Sequence, residues 1–216
     1  MSISIVLPIC GKSKRYDYQH KWNLKNIYGS TMLEVCVSGI RNYKNINKYI
    51  IYNTDLKPTF RIENTYFIRL NFETRDVIET VKKFLELEKI SDHLAIKDCD
   101  NFFITELDYN TLYYYELDWT IKAEGKSFIE ESGGKIEKIY EKSKVLSKFC
   151  CGLYSLSVDE FINAESQIGS LNRERYLSDI FNIYPNKKLK KVISYRDWGS
   201  KENFEDFYNF AGIYYV

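Results

Sequence analysis

The chain has 216 residues, enough for one domain of ordinary size with a full hydrophobic core. Its 31 Lys and Arg residues nearly balance 30 Asp and Glu residues, and the net charge of +1 argues against binding nucleic acid through bulk charge. Hydrophobic residues make up 44% of the chain, as in globular proteins, and their runs are far shorter than the roughly 20 residues of a membrane span.

Cysteine and histidine content narrows the available chemistry. Five cysteines without a CxxC pair, in a chain with no visible signal peptide, predict reduced core thiols and a cytoplasmic protein that does not enter a membrane. The chain has two histidines, His20 and His93. This number argues against a zinc site and against a catalytic triad or dyad that uses histidine as its base.

In its first half, the chain alternates apolar runs with amphipathic segments. The continuous run Ile3–Pro8 predicts a buried strand, and a loop follows to about residue 28. Ser30 and Thr31 provide a hydroxyl cap for the helix that follows. The other predicted elements of this half are a helix over 32–40, strands over 49–52 and 66–70, a helix over 76–88 and a strand over 94–96. This alternation predicts βαβ units, a mostly parallel sheet, and a ligand crevice at the carboxyl ends of its strands.

The second half has shorter strands separated by turns, one of them at Gly133-Gly134. The predicted elements are strands over 112–123, 135–140, 149–155 and 190–194, and helices over 158–166, over 176–183 and from residue 201. No linker or repeat interrupts the chain, so we expect a single domain over 1–216.

Two loops of opposite charge stand at predicted strand ends. The first contains Gly11, which lets the backbone approach a ligand, and the cations Arg15 and Lys21, which suit phosphate. The second is the acidic turn Asp98-Cys99-Asp100, to which Asp197 adds a third carboxylate after a later strand. Carboxylates and substrate phosphates together are the usual ligands of Mg²⁺, so the two loops together predict a nucleoside triphosphate bound with magnesium.

Short motifs along most of the chain resemble those of the GT-A-type nucleotidyltransferases, and they occur in that family's order. The matching segments are Gly11-Lys12-Ser13-Lys14-Arg15-Tyr16, Lys21-Trp22-Asn23-Leu24, Gly29-Ser30-Thr31-Met32-Leu33-Glu34, Lys97-Asp98-Cys99-Asp100-Asn101-Phe102-Phe103, Glu141-Lys142, Gly152-Leu153-Tyr154 and Asp197-Trp198-Gly199-Ser200-Lys201-Glu202. The resemblance implies an α/β fold, a doubly wound, mostly parallel mixed sheet of Rossmann-like type with helices on both faces. Residues 1–105 would then form the half that binds the triphosphate and metal, and 106–216 the acceptor half.

The resemblance also implies an activity, the transfer of a nucleoside monophosphate to a phosphorylated acceptor with release of pyrophosphate. Sugar 1-phosphates and amino-acid, polyol or choline phosphates are acceptors of this class, CTP is the weakly favoured donor, and surface-polysaccharide biosynthesis is the expected setting. The implied roles are catalysis for Arg15 and Lys21, triphosphate binding for Pro8, Cys10, Gly11, Lys12, Ser13 and Asp98, acceptor binding for Glu141, Lys142 and Gly152, and Mg²⁺ ligation for Asp100 and Asp197.

Three positions depart from the motifs of the nucleotidyltransferase family and indicate a specialised branch of that family. Ser13 replaces a glycine, Trp22 replaces a proline beside the lysine, and Asp76 stands where a glycine is common. Trp22 is interpreted either as packing that holds the loop or as a wall of the binding pocket.

Two other functions remain open at this stage. A GT-A glycosyltransferase would use Asp98-Cys99-Asp100 as its metal motif, although the basic loop after the first strand favours the nucleotidyltransferase. A catalytically silent binding homologue would keep the fold alone. The sequence leaves the oligomeric state open, with a homodimer as one option.

Overall fold

The computed structural model describes residues 2–11, 16–17, 20–90, 92–169 and 173–211. Its strands are β1 (Ile3–Pro8), β2 (Lys48–Tyr52), β3 (Thr65–Arg69), β4 (His93–Lys97), β5 (Asn101–Ile104), β6 (Thr111–Glu116), β7 (Ser127–Ser132), β8 (Lys135–Glu141), β9 (Lys148–Ser157), β10 (Lys188–Lys191) and β11 (Ile193–Asp197). Its helices are α1 (Met32–Ser38), α2 (Val77–Leu87), α3 (Val158–Ile168), α4 (Leu177–Ile183) and α5 (Phe204–Asn209), with short 3₁₀ turns at Lys21–Asn23, Tyr43–Asn45 and Lys201–Asn203.

A mixed sheet runs through the molecule in the order β10-β6-β9-β4-β1-β2-β3. β1 lies between β2 and β4 and is parallel to both, as the βαβ reading predicts. Its side chains alternate between two cores, with Ile5 and Leu7 packing on the face that carries α1, and Val6 on the face that carries α2, α3 and α4. The predicted α/β class with helices on both faces is therefore confirmed.

Antiparallel strands complete the sheet beyond β4. β9 pairs antiparallel with β4 on one side and with β6 on the other, and β10 then adds parallel to β6. β7 and β8 form a hairpin beside β9. The hairpin turns at Gly133 and Gly134, whose φ angles of +57° and +77° suit a two-residue primed turn. The turn predicted at this glycine pair is confirmed.

β5 and β11 form a separate two-stranded antiparallel ribbon. The sequence did not predict β5, and it predicted one strand over 190–194 where the chain has two, β10 and β11. β10 ends at Lys191, and Ser194 takes a left-handed φ of +57° as the chain leaves the sheet for β5. The ribbon carries Asp197 at its end, so this missed element determines where that carboxylate lies.

The end of one further predicted strand also differs from the structure, and the reason is local. The strand predicted over 112–123 ends at Glu116 because Asp118 folds back, accepting hydrogen bonds from the N–H and the hydroxyl of Thr120. The hydroxyl cap of α1 is Thr31, which forms a reciprocal capping box with Glu34.

Two further predictions concern the state of the cysteines and the absence of a membrane-spanning segment. All five cysteines are free, and all but the partly buried Cys10 are buried, as predicted for reduced core thiols. Across the residues that the structure describes, none of the helices has the length and apolar character needed to cross a bilayer.

Asp76 has a structural role that accounts for an acid at this position. It is the N-cap of α2, and its buried carboxylate accepts a hydrogen bond from the Glu79 N–H at 2.8 Å. Arg175 donates two more hydrogen bonds to it, at 2.8 and 3.1 Å, and also pairs with Glu165. Burial alone would raise the pKa of Asp76, but these hydrogen bonds hold it below its usual value.

The variant Arg175→Met should lower the free energy of unfolding by about 3–5 kcal/mol, because it removes the buried cation of Asp76 and leaves only the half-exposed Arg75, at 3.2 Å, beside the carboxylate. Arg41→Met is a matched control, since Arg41 pairs with Glu106 on the surface and its loss should cost less than about 1 kcal/mol. Urea unfolding at neutral pH measures both variants. Equal losses would contradict a structural role for the buried pair.

Candidate active site

The loop after β1 begins the candidate site. Pro8 ends the strand, and Cys10 turns toward α2, where burial raises the pKa of its thiol to about 12 despite hydrogen bonds with Thr80 and Thr74. Gly11 is exposed, and a Cβ added to it would meet no atom of the described residues within 4 Å. Three predicted phosphate-binding residues of this loop lie outside the described residues, namely Lys12, Ser13 and Arg15.

Lys21 contacts the acidic turn from the first loop. It opens a 3₁₀ turn, and the next residue, Trp22, is 1% exposed and packs into the core beneath it. This burial supports the packing interpretation of Trp22. Lys21 Nζ donates to Asp100 Oδ2 at 2.5 Å, and both side chains are largely buried. Two residues predicted for one site from loops 79 positions apart are thus in direct contact.

Asp98 opens the turn at residues 98–100, directly after β4. Its side chain lies over Gly152 of β9, where a Cβ would come within 3.0 Å of Asp98 and also meet the Asn101 amide. The Asp98 N–H donates to the Gly152 carbonyl at 2.9 Å. Gly152, predicted to bind the acceptor, is therefore the position that gives the acidic turn its space.

Lys97 holds the two ends of this turn together through hydrogen bonds, a role that the sequence did not predict. It ends β4 and is fully buried. Its Nζ donates to the Asp98 carbonyl at 2.8 Å, to the Asn101 carbonyl at 3.1 Å and to the Asn101 side-chain oxygen. A lysine at the end of an apolar strand was the available signal.

The β5–β11 ribbon brings Asp197 beside the acidic turn. Asp197 is paired with Asn101, and the Trp198 N–H donates to the Asp100 carbonyl at 2.7 Å. The two predicted metal ligands therefore do lie on neighbouring segments. We had expected both carboxylates to follow strands of the main sheet. The β5–β11 ribbon brings them together instead.

Lys126, which the sequence did not single out, is the cation of Asp197. Asp197 Oδ2 accepts an ion-paired hydrogen bond from Lys126 Nζ, and Oδ1 accepts one from the Gly199 N–H at 2.9 Å. The ammonium also reaches the Tyr195 hydroxyl at 3.1 Å. Each carboxylate of the predicted metal pair thus forms an ion pair with a lysine of the described residues.

The predicted acceptor residues Glu141 and Lys142 stand at the end of β8. Glu141 is held by the hydroxyls of Ser127 and Ser178, the latter at 2.8 Å. Lys142 has a left-handed φ of +53°, and its Nζ lies 4.3 Å from the ring centre of Tyr176 and 3.1 Å from its hydroxyl. The structure therefore places the Lys142 ammonium on Tyr176 and not on the acidic pair.

The donor set of the crevice suits one kind of metal. Within the described residues, no three His, Cys, Asp or Glu side chains come together as a metal-binding group. Asp100 and Asp197 offer two carboxylates, and Mg²⁺ is commonly held by one or two carboxylates together with waters and substrate phosphates. These residues fit a magnesium ion that arrives with a phosphate ligand.

Neither a protein-family model nor a curated protein matches this chain. Solved structures do match it. A nucleoside-diphosphate-sugar pyrophosphorylase from Vibrio cholerae aligns over 95% of this chain and 100% of its own, with a TM-score of 0.77 and 18% identity. An inositol-1-phosphate CTP transferase from T. maritima aligns over 94% of this chain and 91% of its own, with a TM-score of 0.71 and 13% identity.

A third match is the CTP:phosphocholine cytidylyltransferase from Streptococcus pneumoniae, at a TM-score of 0.71 and 10% identity over 96% of this chain and 98% of its own. The chain therefore has the fold of nucleotidyltransferases. The resemblance that the ordered motifs indicated is confirmed at the level of the fold.

Gly152→Ala should destabilise the protein more than Gly134→Ala. Both glycines have a left-handed φ, +79° and +77°, so both variants carry a backbone cost of about 1–2 kcal/mol. Only at Gly152 does the new Cβ collide with Asp98, which should cost about 1–3 kcal/mol more. Urea unfolding compares the two, and equal losses would mean that the acidic turn is not held against β9.

Asp98→Asn should become more stable than the wild type as pH rises. Burial and the nearby Asp100 charge raise the pKa of Asp98 from 3.8 to about 6. The folded pKa is the higher one, so the stability that Asp98 contributes is complete below about pH 4 and is lost as pH rises through about 6. Unfolding free energies from pH 4 to 7, measured with EDTA, should diverge by on the order of 2 kcal/mol. Parallel pH profiles would contradict the pKa shift.

Proposed function

We propose that the protein is a Mg²⁺-dependent nucleotidyltransferase, which transfers a nucleoside monophosphate from a triphosphate to a phosphorylated acceptor. The observation that carries this proposal is the pair of strand-end carboxylates, Asp100 and Asp197, each holding a lysine. The nucleotidyltransferase fold supports the same reaction class.

The chemistry follows from the charges in the crevice. An acceptor phosphate oxygen attacks the α-phosphorus in line, the new P–O bond forms, and the bond to pyrophosphate breaks. The acceptor is already ionised at neutral pH, so the reaction needs positioning and charge neutralisation more than a strong general base. Bound magnesium would neutralise phosphate charge, held by Asp100 and Asp197.

The lysines divide between the two substrates in this proposal. Lys21, with Arg15 of the same loop, binds the triphosphate, and Gly11, which has no side chain, allows phosphate to approach the backbone of that loop. Lys142 and Glu141 lie at the end of β8 and serve the acceptor. To do so, the Lys142 ammonium has to leave the face of Tyr176, a change that its exposed side chain permits.

CTP is the proposed donor, and a sugar phosphate or another small phosphate is the proposed acceptor. Two of the similar structures are named as enzymes that use CTP, with inositol 1-phosphate and phosphocholine as partners, and one as a nucleoside-diphosphate-sugar pyrophosphorylase. We place the reaction in the cytoplasmic supply of activated precursors for surface polysaccharide.

Pyrophosphate release tests the proposal directly. The purified protein is incubated with Mg²⁺, with each of CTP, UTP, ATP, GTP and dTTP, and with a panel of sugar, polyol, amino-acid and choline phosphates. We expect one donor–acceptor pair to release pyrophosphate, and EDTA to stop it. Transfer from a sugar nucleotide without pyrophosphate release would instead identify a glycosyltransferase.

Asp100→Asn should reduce this pyrophosphate release at least about 100-fold, because it removes a carboxylate that holds magnesium. Asp55→Asn is the matched control, since the Asp55 side chain is 98% exposed and should leave the rate unchanged. Circular dichroism checks that both variants fold. A rate within tenfold of wild type in Asp100→Asn would remove Asp100 from the mechanism.

A further inference from the structure

Lys126 sits beside Asp197 in an environment that holds its ammonium group in place. Its side chain is 11% exposed, and its Nζ lies 5.5 Å from the ring centre of Phe149 and 5.2 Å from that of Tyr195. Two aromatic faces stabilise a cation and fix the apolar stem of the lysine. The ammonium itself donates hydrogen bonds to the Tyr195 hydroxyl and to the Asp197 carboxylate.

Lys126 and Asp197 repeat the arrangement of Lys21 and Asp100. In both pairs a largely buried lysine bonds a carboxylate of the proposed magnesium pair. Asp197 is the more open carboxylate, with 30% of its side chain exposed, so its lysine borders the part of the crevice that a ligand can enter. If Asp197 is to bind magnesium, the charge of Lys126 needs another anion, and a phosphate is the anion that this reaction brings.

The position of Lys126 in the fold indicates which phosphate. Lys126 immediately precedes β7, and its carbonyl accepts a hydrogen bond from the Lys142 N–H at 3.2 Å across the open end of the β7–β8 hairpin. Lys142 is the residue proposed to serve the acceptor. Lys21, proposed for the triphosphate, comes from the separate loop after β1.

We propose that Lys126 is a second phosphate-binding lysine of this crevice and that it binds the phosphate of the acceptor, exchanging its ion pair with Asp197 for that phosphate. The inference rests on the proposed nucleotidyltransferase function and deepens it. The ligand class is a small phosphomonoester dianion. Lys126 is then a substrate-binding residue, and its pairing with Asp197 keeps both charges compensated until substrate and metal arrive.

Inorganic phosphate is the probe for this site, titrated calorimetrically in the presence of Mg²⁺. Lys126→Met keeps the stem between the two rings but removes the charge, so phosphate should bind at least about tenfold more weakly. Lys126→Arg keeps the charge and should retain affinity within about threefold. Lys135→Met is the matched control, because Lys135 is exposed at the far end of the same hairpin and should change affinity less than about twofold.

If phosphate replaces Asp197 as the partner of Lys126, substitutions of the two residues should be coupled in their effect on phosphate affinity. A purely structural role of Lys126 would not produce this coupling. Without metal, Asp197→Asn releases Lys126 and should tighten phosphate binding. The same substitution in a Lys126→Met background should tighten it less, giving a coupling of at least about threefold between the two positions. Additive effects of the two substitutions would overturn the exchange.

Titration with CTP–Mg²⁺ separates this inference from the proposed function. Lys126→Met should bind CTP–Mg²⁺ within about threefold of wild type. Unchanged phosphate affinity in this variant, absence of phosphate binding by the wild type, or an equal loss for CTP–Mg²⁺ would each overturn the acceptor role of Lys126. A wild-type protein that neither binds a nucleoside triphosphate nor releases pyrophosphate would instead overturn the proposed function.

Discussion

The pairing of β5 with β11 is the constraint on which the candidate site depends. These strands lie outside the main sheet, yet their register puts Asp197 opposite Asn101, and the Trp198 N–H binds the Asp100 carbonyl at 2.7 Å. The Trp198 carbonyl accepts a hydrogen bond from the Tyr16 hydroxyl at 2.6 Å, which ties the loop after β1 to the same ribbon. One short ribbon therefore joins the acidic turn, the last carboxylate and the first loop.

Charge compensation explains how the fold tolerates so many ionised groups in one crevice. Lys21 neutralises Asp100 and Lys126 neutralises Asp197, so neither carboxylate is buried without a partner. A triphosphate with its cation would offer the same two charges in exchange. Among the described residues no cation forms a comparable ion pair with Asp98, and burial beside Asp100 raises its pKa to about 6, a cost of the kind that functional sites carry.

Local signals were predictable from the sequence, and long-range pairings were not. Thr31 and the turn at Gly133-Gly134 were predicted because a cap and a tight turn depend on adjacent residues. Lys21, Asp100 and Asp197 were proposed for one site from an ordered motif pattern. Lys126 was missed because its partners come from other strands distant in the chain, and no local pattern distinguishes it from a surface lysine.

The most direct measurement is a crystal structure of the protein with Mn²⁺ and a non-hydrolysable CTP analogue. The expected result is an anomalous Mn²⁺ peak with one oxygen from each of Asp100 and Asp197 at about 2.0–2.3 Å, close to the distances of Mg²⁺ sites. Lys21 should then contact a phosphate oxygen of the analogue. A nucleotide bound elsewhere, or a metal held by neither aspartate, would contradict the proposed catalytic site.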